Sequence, residues 1–291
     1  MNKVTFKDLG LSSDVLKGIE MMGYVSPSPI QEKSIPVLLE GQDIIGQAQT
    51  GTGKTLAFGS VLLSKIQKEG KHVKALILSP TRELALQIHE ELKRIGKCTN
   101  LSIVSVFGGS DIERQIKDLK RGADIVVGTP GRVQDLMRRR VLKINNIDFM
   151  VLDEADEMLN MGFVEDIETI LKATPDNKQT VLFSATMPAT IKKIASNYMQ
   201  DDYMHIQIKS KTKTASTVSQ YYFETRPTNK FETLCRILDS RQMENTIIFC
   251  KTKRSVDEVV AFPHPLLQCN RNIMMLRQCM VIYHKINVRI H

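Results

Sequence analysis

The segment AQTGTGKT, residues 48–55, has the spacing of a phosphate-binding loop. Its glycines let backbone N–H groups turn toward a triphosphate, Lys54 can neutralise the β and γ oxygens, and the Thr55 hydroxyl can reach Mg²⁺. The strict pattern has glycine where this chain has Ala48. The segment predicts a site for ATP and Mg²⁺. Its candidate binding residues are Ala48, Gln49, Thr50, Gly51, Thr52, Gly53, Lys54 and Thr55.

Short apolar runs alternate with helical patterns on both sides of this loop. We predict strands at 43–48, 73–79, 103–107, 124–128, 148–153, 180–184 and 203–208. Helices are predicted to begin near Lys54, Arg82, Asp111, Gly131, Phe163 and Pro188. Because short apolar runs separated by helices are typical of buried parallel strands, the pattern predicts an α/β fold in which helices flank a parallel sheet.

Five polar segments follow predicted strands directly. Ligands of parallel α/β sheets bind at the carboxyl ends of the strands, so we expect these segments to meet at one edge. They are the phosphate loop, Pro80-Thr81-Arg82, Thr129-Pro130-Gly131-Arg132, Asp153-Glu154 and Ser184-Ala185-Thr186. The last segment could sense the γ-phosphate, although three residues alone have little specificity.

Two acidic residues follow the apolar run at 149–152. A carboxylate at the position of Asp153 can hold Mg²⁺, and Glu154 can orient or deprotonate the attacking water. Acidic residues also favour helix N-termini on electrostatic grounds alone. Given the upstream phosphate loop, we predict catalytic roles for Lys54, Asp153 and Glu154, with Thr55 and Asp153 as metal ligands.

The segment GYVSPSPIQ, residues 23–31, lies ahead of the phosphate loop. The amide of Gln31 has a donor and an acceptor that suit the edge of adenine, and Phe6 is an aromatic residue that could stack on the base. Tyr24 is a third candidate for the nucleotide site. A proline-rich turn and a core phenylalanine explain Gln31 and Phe6 without a ligand, and chemistry alone favours that explanation.

Small, hydroxyl-bearing or basic residues recur at the predicted strand-to-helix junctions. Backbone N–H groups and hydroxyls there can hold the phosphates of a nucleic-acid strand without reading its bases. Each residue alone is better explained as a helix cap or a turn, whereas their recurrence on one expected edge supports a backbone-binding track. They are Pro80, Thr81, Arg82, Gly108, Gly109, Thr129, Pro130, Gly131 and Arg132.

The net charge of +8 is weak evidence for nucleic-acid binding. Half of the excess lies in residues 261–291, which contain four basic residues and no acidic one. No apolar run reaches the ~18 residues that a membrane helix needs. The first residues lack a secretory segment, which predicts a cytoplasmic protein without membrane contact. The cysteines lack metal-ligand spacing.

Residues 209–217, KSKTKTAST, are polar and basic, and they predict a linker. Beyond it we predict a strand at 218–224, a helix from about Thr228, a strand at 246–250 and a helix at 254–260. This pattern is the incomplete start of a second α/β domain. The predicted division is a first domain at 1–208, the linker, a partial domain at 218–260 and a tail at 261–291.

Taken together, these residues resemble the DEAD-box ATP-dependent RNA helicases of bacteria. The motifs keep the family's order over residues 4–260, and Ala48 is the family's residue at its position. The motifs are Phe6, GYVSPSPIQ (23–31), AQTGTGKT (48–55), PTRELA (80–85), Gly108-Gly109, TPGR (129–132), DEAD (153–156), SAT (184–186) and IIFCKTK (247–253).

The resemblance implies a RecA-like P-loop NTPase domain with a Q motif at about 4–32, followed by the start of a second RecA-like domain. It implies that Phe6 and Gln31 select adenine. It also implies that Asp153 and Glu154 serve as the metal and water carboxylates, while the phosphate loop binds the phosphates and Mg²⁺.

The resemblance further implies that the track from Thr81 to Arg132 grips the RNA sugar-phosphate backbone, and that the SAT segment links hydrolysis to strand separation. In this family, two stacked domains close on ATP and RNA, bend one strand and melt a short duplex locally. RNA is the expected partner, and ribonucleoprotein or RNA-degradation complexes stay open as partners.

After Val260 the match to the family stops. The family continues with segments that carry HGD, ARGID and HRIGRTGR, which this sequence lacks. When the third base of each codon is read with the first two bases of the next, starting at Ile273, codon degeneracy permits YDAEAMHGDLSQNQRTNS. This string restores HGD, so we expect residues 261–291 to be a frame-shifted tail without selected structure; the alternative is a genuine, divergent C-terminus.

The leading hypothesis is an RNA-dependent ATPase and helicase lineage represented by its N-terminal half, with little hydrolysis or unwinding by this chain. Arginines of the missing last segment reach the γ-phosphate in the family, and loss of an arginine finger costs roughly 10³–10⁵ in rate. Two alternatives stay open. One is a non-catalytic fragment that binds ATP and RNA, and the other is a different P-loop ATPase such as a DNA translocase.

Overall fold

The computed structural model describes residues 4–49, 51–68, 70, 72–208, 221–240, 246–250, 252–261, 273–275 and 287–289. The chain divides into two compact units, Met1–Lys209 and Ser210–His291. The linker predicted at 209–217 lies outside the described residues. Within the described ranges, no helix combines the length and the apolar character needed to cross a membrane.

The first unit contains a seven-stranded sheet in which every pairing is parallel. Its strands are β1 (Ile44–Gln47), β2 (Ala75–Leu78), β3 (Ile103–Val106), β4 (Ile125–Gly128), β5 (Phe149–Leu152), β6 (Gln179–Ser184) and β7 (Met204–Gln207). Their order across the sheet is β3-β4-β2-β5-β6-β1-β7. The predicted α/β class is confirmed, and only β6 begins outside its predicted range, by one residue.

Helices cover both faces of this sheet. They are α1 (Ser13–Met21), α2 (Pro29–Leu39), α3 (Lys54–Lys65), α4 (Arg82–Ile95), α5 (Ile112–Arg121), α6 (Pro130–Arg138), α7 (Ala155–Asn160), α8 (Val164–Lys172) and α9 (Ala189–Tyr198). A 3₁₀ helix at Phe6–Leu9 precedes them. All six predicted helix starts agree with the structure to within one residue, whereas α1, α2 and α7 were not predicted.

The core has two layers, one on each face of the sheet. Neighbouring residues of a strand point to opposite faces. Thus Val151 belongs to the layer beneath α3 and α4, while Met150 and Leu152 belong to the layer beneath α6, α8 and α9. Strands buried on both faces read as continuous apolar runs, which is why the sequence located them so closely.

The second unit is described in shorter pieces. They are β8 (Tyr221–Tyr222), a 3₁₀ turn (Pro227–Asn229), α10 (Lys230–Asp239), β9 (Thr246–Ile248), α11 (Lys253–Ala261), β10 (Ile273–Met275) and β11 (Asn287–Arg289). Strand β10 pairs in parallel with β9, and β11 pairs antiparallel with β8. Residues 218–220 of the predicted first strand lie outside the described residues.

Strands β10 and β11 lie inside segment 261–291, for which the sequence predicted no regular elements. That expectation is corrected for these six residues, because backbone pairing does not depend on the apolar periodicity on which the prediction was based. The frame-shift hypothesis concerns the gene, so these short pairings leave it a prediction.

Candidate functional site

The phosphate loop joins β1 to α3 through two glycines in the left-handed conformation. Gly51 and Gly53 have φ values of 81° and 88°, which residues with a Cβ adopt only at a cost. A Cβ on Gly53 would also collide with the side-chain amide of Gln31. The Thr52 hydroxyl donates to the carbonyl of Gln49 at 2.8 Å. This is the tight turn that a phosphate-binding loop requires.

Lys54 and Asp153 form a buried pair of opposite charges beside this loop. Their exposed fractions are 6% and 2%, and Lys54 Nζ lies 4.0 Å from Asp153 Oδ1. Nζ also donates to the carbonyl oxygen of Ala48 at 3.4 Å. Burial raises the pKa of Asp153 to about 6, with Lys54 opposing the shift and Glu154 adding to it. Both distances from Lys54 Nζ are long for contacts of a charged group. Lys54 can therefore still bind phosphate oxygens, and Asp153 can still bind a cation.

The Thr55 hydroxyl lies beside a further carboxylate. Burial raises the pKa of Glu91 on α4, and a hydrogen bond with Thr55 opposes that shift. Magnesium is commonly held by one or two carboxylates together with substrate phosphates, so the oxygens of Thr55 and Asp153 are suitable ligands. No group of three His, Cys, Asp or Glu side chains in the described part of the chain forms a metal site. Thr55 and Asp153 therefore fit an ion that binds together with a nucleotide. Thr50 of the phosphate loop lies outside the described residues.

Glu154 has a backbone conformation that is rare outside glycine. Its φ is 52° and its ψ is 49°, and its N–H donates to Asp153 Oδ1 at 3.0 Å. A left-handed residue with a side chain costs roughly 1–2 kcal/mol, and such residues concentrate at functional sites. Glu154 precedes α7, yet its side chain makes no capping hydrogen bond. Its conformation thus argues against a simple capping role.

Asp156, which the sequence analysis did not single out, joins the acidic segment to the SAT segment. Its carboxylate accepts from the Thr186 N–H at 2.9 Å, from the Thr186 hydroxyl at 2.8 Å and from the Ala185 N–H at 3.4 Å. The Ser184 hydroxyl donates to the Thr186 carbonyl at 2.6 Å. Burial acts to raise the pKa of Asp156, but the hydrogen bonds from this segment outweigh it and lower the pKa. The only signal in the sequence was its position as the fourth residue of DEAD.

The three adenine candidates differ in their placement. Gln31 contacts the phosphate loop, since its Nε2 donates to the Gly53 carbonyl at 3.0 Å, while its Oε1 accepts from the Ser28 N–H at 2.8 Å. Phe6 is 4% exposed and belongs to the hydrophobic core. Tyr24 is 50% exposed. It lines a surface pocket of about 340 Å³ with Met21, Met22, Arg94 and Lys97.

The two arginines of the predicted track both contact the loop that follows β3. Arg82 is exposed at the start of α4. Its guanidinium carbon lies 5.1 Å from the centroid of the Phe107 ring, and its Nη1 donates to the Gly109 carbonyl at 3.4 Å. Arg132 in α6 donates from Nη2 to the Ser110 carbonyl at 3.4 Å. The loop after β3 therefore contacts arginines that follow β2 and β4.

Three glycines of the track face open space. A Cβ on Gly108, Gly109 or Gly131 would meet no atom within 4 Å. Only Gly109 has a positive φ, of 72°, so nothing inside the fold requires glycine at the other two positions. Open backbone at these sites leaves room for the close approach of a ligand. The remaining members are buried or half-buried and suit supporting positions; they are Pro80, Thr81, Thr129 and Pro130.

The strand order divides the candidate segments into two groups. The phosphate loop, Asp153-Glu154 and the SAT segment follow β1, β5 and β6, which are adjacent as β5-β6-β1. We call this the phosphate-loop half. The segments with Arg82, Gly108-Gly109 and Arg132 follow β2, β3 and β4, which are adjacent as β3-β4-β2. We call this the arginine half.

Comparison with known proteins agrees with this geometry. The family model described as DEAD/DEAH box helicase matches residues 28–194. The DEAD-box ATP-dependent RNA helicase CshA of Streptococcus pneumoniae is 54% identical over 254 residues, which are 87% of this chain and 48% of that protein. The CshA helicase of Bacillus subtilis is 50% identical over 256 residues, 88% of this chain and 52% of that protein. The chain thus spans about half the length of these curated relatives.

A solved structure extends the comparison to the fold. The crystal structure of a DEAD box protein from the hyperthermophile Methanococcus jannaschii is 42% identical and superimposes with a TM-score of 0.68. The match covers 88% of this chain and 69% of that chain. The expected RecA-like fold of the first domain is thereby confirmed. Motifs, family model and structural likeness agree that this chain belongs to the DEAD/DEAH box helicase family.

Proposed function

We propose that this chain is the ATP-binding half of an RNA-dependent ATPase and helicase. ATP with Mg²⁺ binds at the phosphate-loop half, and the RNA backbone binds at the arginine half. The observation that carries the proposal is the buried pair Lys54 and Asp153, whose charged atoms are 4.0 Å apart. Charges taken out of water are costly unless compensated. A nucleotide with its divalent cation brings a partner for each of them.

The roles of the residues follow from their chemistry. Lys54 neutralises the β and γ oxygens of the substrate, and backbone N–H groups of the glycine-rich loop after Ala48 bind the phosphates. Thr55 and Asp153 hold Mg²⁺, which supplies neutralising charge to the phosphates when bound. Glu154 orients or deprotonates the attacking water. The strained backbone of Glu154 and its bond to Asp153 support this assignment.

Adenine selection is assigned to the Q-motif residues. Gln31 retains one amide N–H and one lone pair beyond its two bonds to Ser28 and Gly53, which is what the edge of adenine needs. Phe6 and Tyr24 complete the candidate set. Because Gln31 donates to the Gly53 carbonyl, adenine bound at Gln31 is linked directly to the phosphate loop.

RNA binding is assigned to the arginine half. Arg82 is exposed, and Arg132 keeps N–H donors beyond its protein contacts, so both can pair with phosphate oxygens. The open glycines allow a strand to approach the backbone. Contacts of this kind bind phosphate and sugar with little sequence specificity. The bonds from Asp156 to the SAT segment support a coupling role for Ser184, Ala185 and Thr186.

Turnover by this chain is proposed to be weak. The relatives are about twice as long, and the HGD and HRIGRTGR segments of the family are missing here. The linker at 209–217, the partial domain at 218–260 and the frame-shifted tail at 261–291 belong to the same proposal. The proposal also includes a cytoplasmic location and partners in ribonucleoprotein or RNA-degradation complexes.

The test compares nucleotide affinity with turnover in the 291-residue chain. We expect binding of a fluorescent ATP analogue with Mg²⁺, a loss of at least roughly tenfold in Asp153→Asn, and RNA-stimulated hydrolysis near background. Absence of nucleotide binding would overturn the whole proposal. Strong RNA-stimulated hydrolysis would overturn the weak-turnover part alone.

A second candidate function is a purely binding remnant without catalysis. It is favoured by the half-length match to the relatives. Affinity for ATP and RNA without any measurable turnover distinguishes it from a slow ATPase. Stimulation by DNA rather than RNA, with nucleotide choice unchanged in Gln31→Ala, would instead indicate a different P-loop translocase.

A further inference from the structure

Gln115 is a buried amide at the centre of the arginine half. Its side chain is 7% exposed on α5. Its Oε1 accepts from the Phe107 N–H at 3.2 Å and from Arg132 Nη1 at 3.0 Å. Its Nε2 donates to the Phe107 carbonyl at 3.1 Å and to the Ser110 hydroxyl. Four hydrogen bonds use the full capacity of a glutamine amide.

These bonds connect segments that follow different strands. Phe107 and Ser110 lie in the loop after β3, while Arg132 lies in the helix after β4. The same loop is contacted by Arg82, which follows β2. The buried amide of Gln115 forms hydrogen bonds with the N–H and the carbonyl of Phe107 and with the Arg132 guanidinium. One side chain therefore bonds both to loop 107–110 and to the Arg132 guanidinium.

We propose that Gln115 is a positioning residue for RNA binding, which holds loop 107–110 and the Arg132 guanidinium in the geometry that contacts phosphate. The proposal rests on the proposed function, in which the arginine half binds the RNA backbone. An arginine side chain loses considerable rotamer freedom when it binds a phosphate. Prior fixation by Gln115 and by the Ser110 carbonyl reduces that loss on binding.

The variant that tests this is Gln115→Met, which keeps the length and approximate volume but removes all four bonds. Gln87→Met is the matched control, because Gln87 is exposed on α4. Affinity for a fluorescent single-stranded oligouridine is measured over a range of salt concentrations, together with affinity for an ATP analogue.

We expect Gln115→Met to weaken RNA binding roughly fivefold to tenfold. The slope of log K against log salt should become shallower by about 0.7, which corresponds to one lost phosphate contact on a single strand. Nucleotide affinity should stay unchanged, because the phosphate loop lies in the other half. Gln87→Met should match the unmodified chain in all three measurements.

A double-mutant cycle with Arg132→Ala separates positioning from general packing. If Gln115 acts through Arg132, its substitution should weaken RNA binding less than about twofold further in the Arg132→Ala background. Fully additive losses would overturn the proposal. An equal loss of ATP and RNA affinity in Gln115→Met would also overturn it, since that outcome indicates damage to the whole fold.

Gln115→Glu covers the case in which Gln115→Met does not fold. The carboxylate can still accept from the Phe107 N–H and from Arg132, but it cannot donate to the Phe107 carbonyl, and its charge neutralises Arg132. We expect a loss of RNA affinity at least as large as in Gln115→Met, and wild-type affinity would overturn the inference. If Arg132→Ala leaves RNA affinity unchanged, the RNA track itself is wrong and the inference falls with it. If Arg132→Ala weakens RNA binding and neither Gln115 variant does, only the inference is overturned.

Discussion

The phosphate-loop half and the arginine half share one sheet edge but are built in opposite ways. In the phosphate-loop half, the decisive side chains are buried, with Lys54 6% and Asp153 2% exposed. In the arginine half, Arg82 and the glycines at 108, 109 and 131 are exposed. Buried charged side chains of both signs are suited to bind a compact ligand whose charge is concentrated. A long polymer is suited by an open surface that pairs with phosphates one at a time.

The largest expected effect is on the enclosed half. Lys54→Ala should lower ATP affinity by roughly two orders of magnitude, because it removes one partner of a buried charge pair. Equilibrium binding of a fluorescent ATP analogue measures this change. RNA affinity should stay within about twofold of the unmodified chain. Lys93→Ala, at a position whose side chain is 55% exposed, is the control; a matching loss of RNA binding in Lys54→Ala would contradict the separation of the halves.

A smaller effect is expected on the open half. Arg82→Ala should weaken RNA binding by roughly fivefold and make the salt slope shallower by about 0.7, since one exposed phosphate contact is lost. Fluorescence anisotropy at several salt concentrations measures both quantities. Arg121→Ala removes an arginine of α5 that is 67% exposed and paired with Asp118, and it serves as the control. An unchanged slope in Arg82→Ala would mean that Arg82 does not contact phosphate.

Asp156 tests how the phosphate-loop half is held together. Asp156→Asn should lower the free energy of unfolding by about 1 kcal/mol at neutral pH, because the carboxylate is only partly buried and water screens its bonds to the SAT segment. Such a loss corresponds to a fall of roughly 2–4 °C in the unfolding midpoint.

The stability lost in Asp156→Asn should depend on pH. The pKa of Asp156 is lowered from its ordinary value of 3.8. The stabilisation is therefore fully present above that value and is lost as pH falls through the lower pKa of the folded state. Thermal melts of both proteins at neutral and acidic pH measure the difference, which should shrink at acidic pH. A difference that does not change with pH would argue against an ionised Asp156 as the cause.

The smallest expected effect is that of Gly131→Ala, which should raise the free energy of unfolding but lower RNA affinity. Gly131→Ala in α6 should raise the free energy of unfolding by at most about 1 kcal/mol, since alanine favours helix more than glycine. The added methyl group meets no protein atom within 4 Å. We expect RNA affinity to fall by about twofold to threefold, because the methyl group occupies space left open for the strand. Thermal melts and RNA titration together check this, and unchanged RNA affinity would show that the open glycine does not face RNA.

Local sequence predicted the sheet well and the contacts between segments poorly. The strands of the first unit were located because most of them are buried on both faces and read as apolar runs. Strand β7, at the edge of the sheet, buries only Ile206 of its four residues. Helix α7 was missed because its six residues are too few for a helical period to be recognised. The pairings of β10 and β11 were also missed, since backbone pairing leaves no such period in the sequence.

The contacts of Asp156 and Gln115 could not be read from spacing. Asp156 reaches the SAT segment because β5 and β6 are neighbours, and Gln115 reaches Arg132 because β3 and β4 are neighbours. Strand order is set by the packing of the whole sheet, so the partners of a polar side chain on a connecting segment depend on it.

The spacing of residues 48–55 and 153–156 was enough to predict a phosphate loop and a metal carboxylate, and the alternating apolar runs predicted a parallel α/β sheet, because turn chemistry and apolar periodicity are local properties of a chain. Tertiary structure alone brings Lys54 to within 4.0 Å of Asp153 and raises the pKa of that carboxyl to about 6. These two residues follow strands that are separated by β6. Burial and charge pairing depend on what surrounds a group in space, which the order of residues along the chain does not specify.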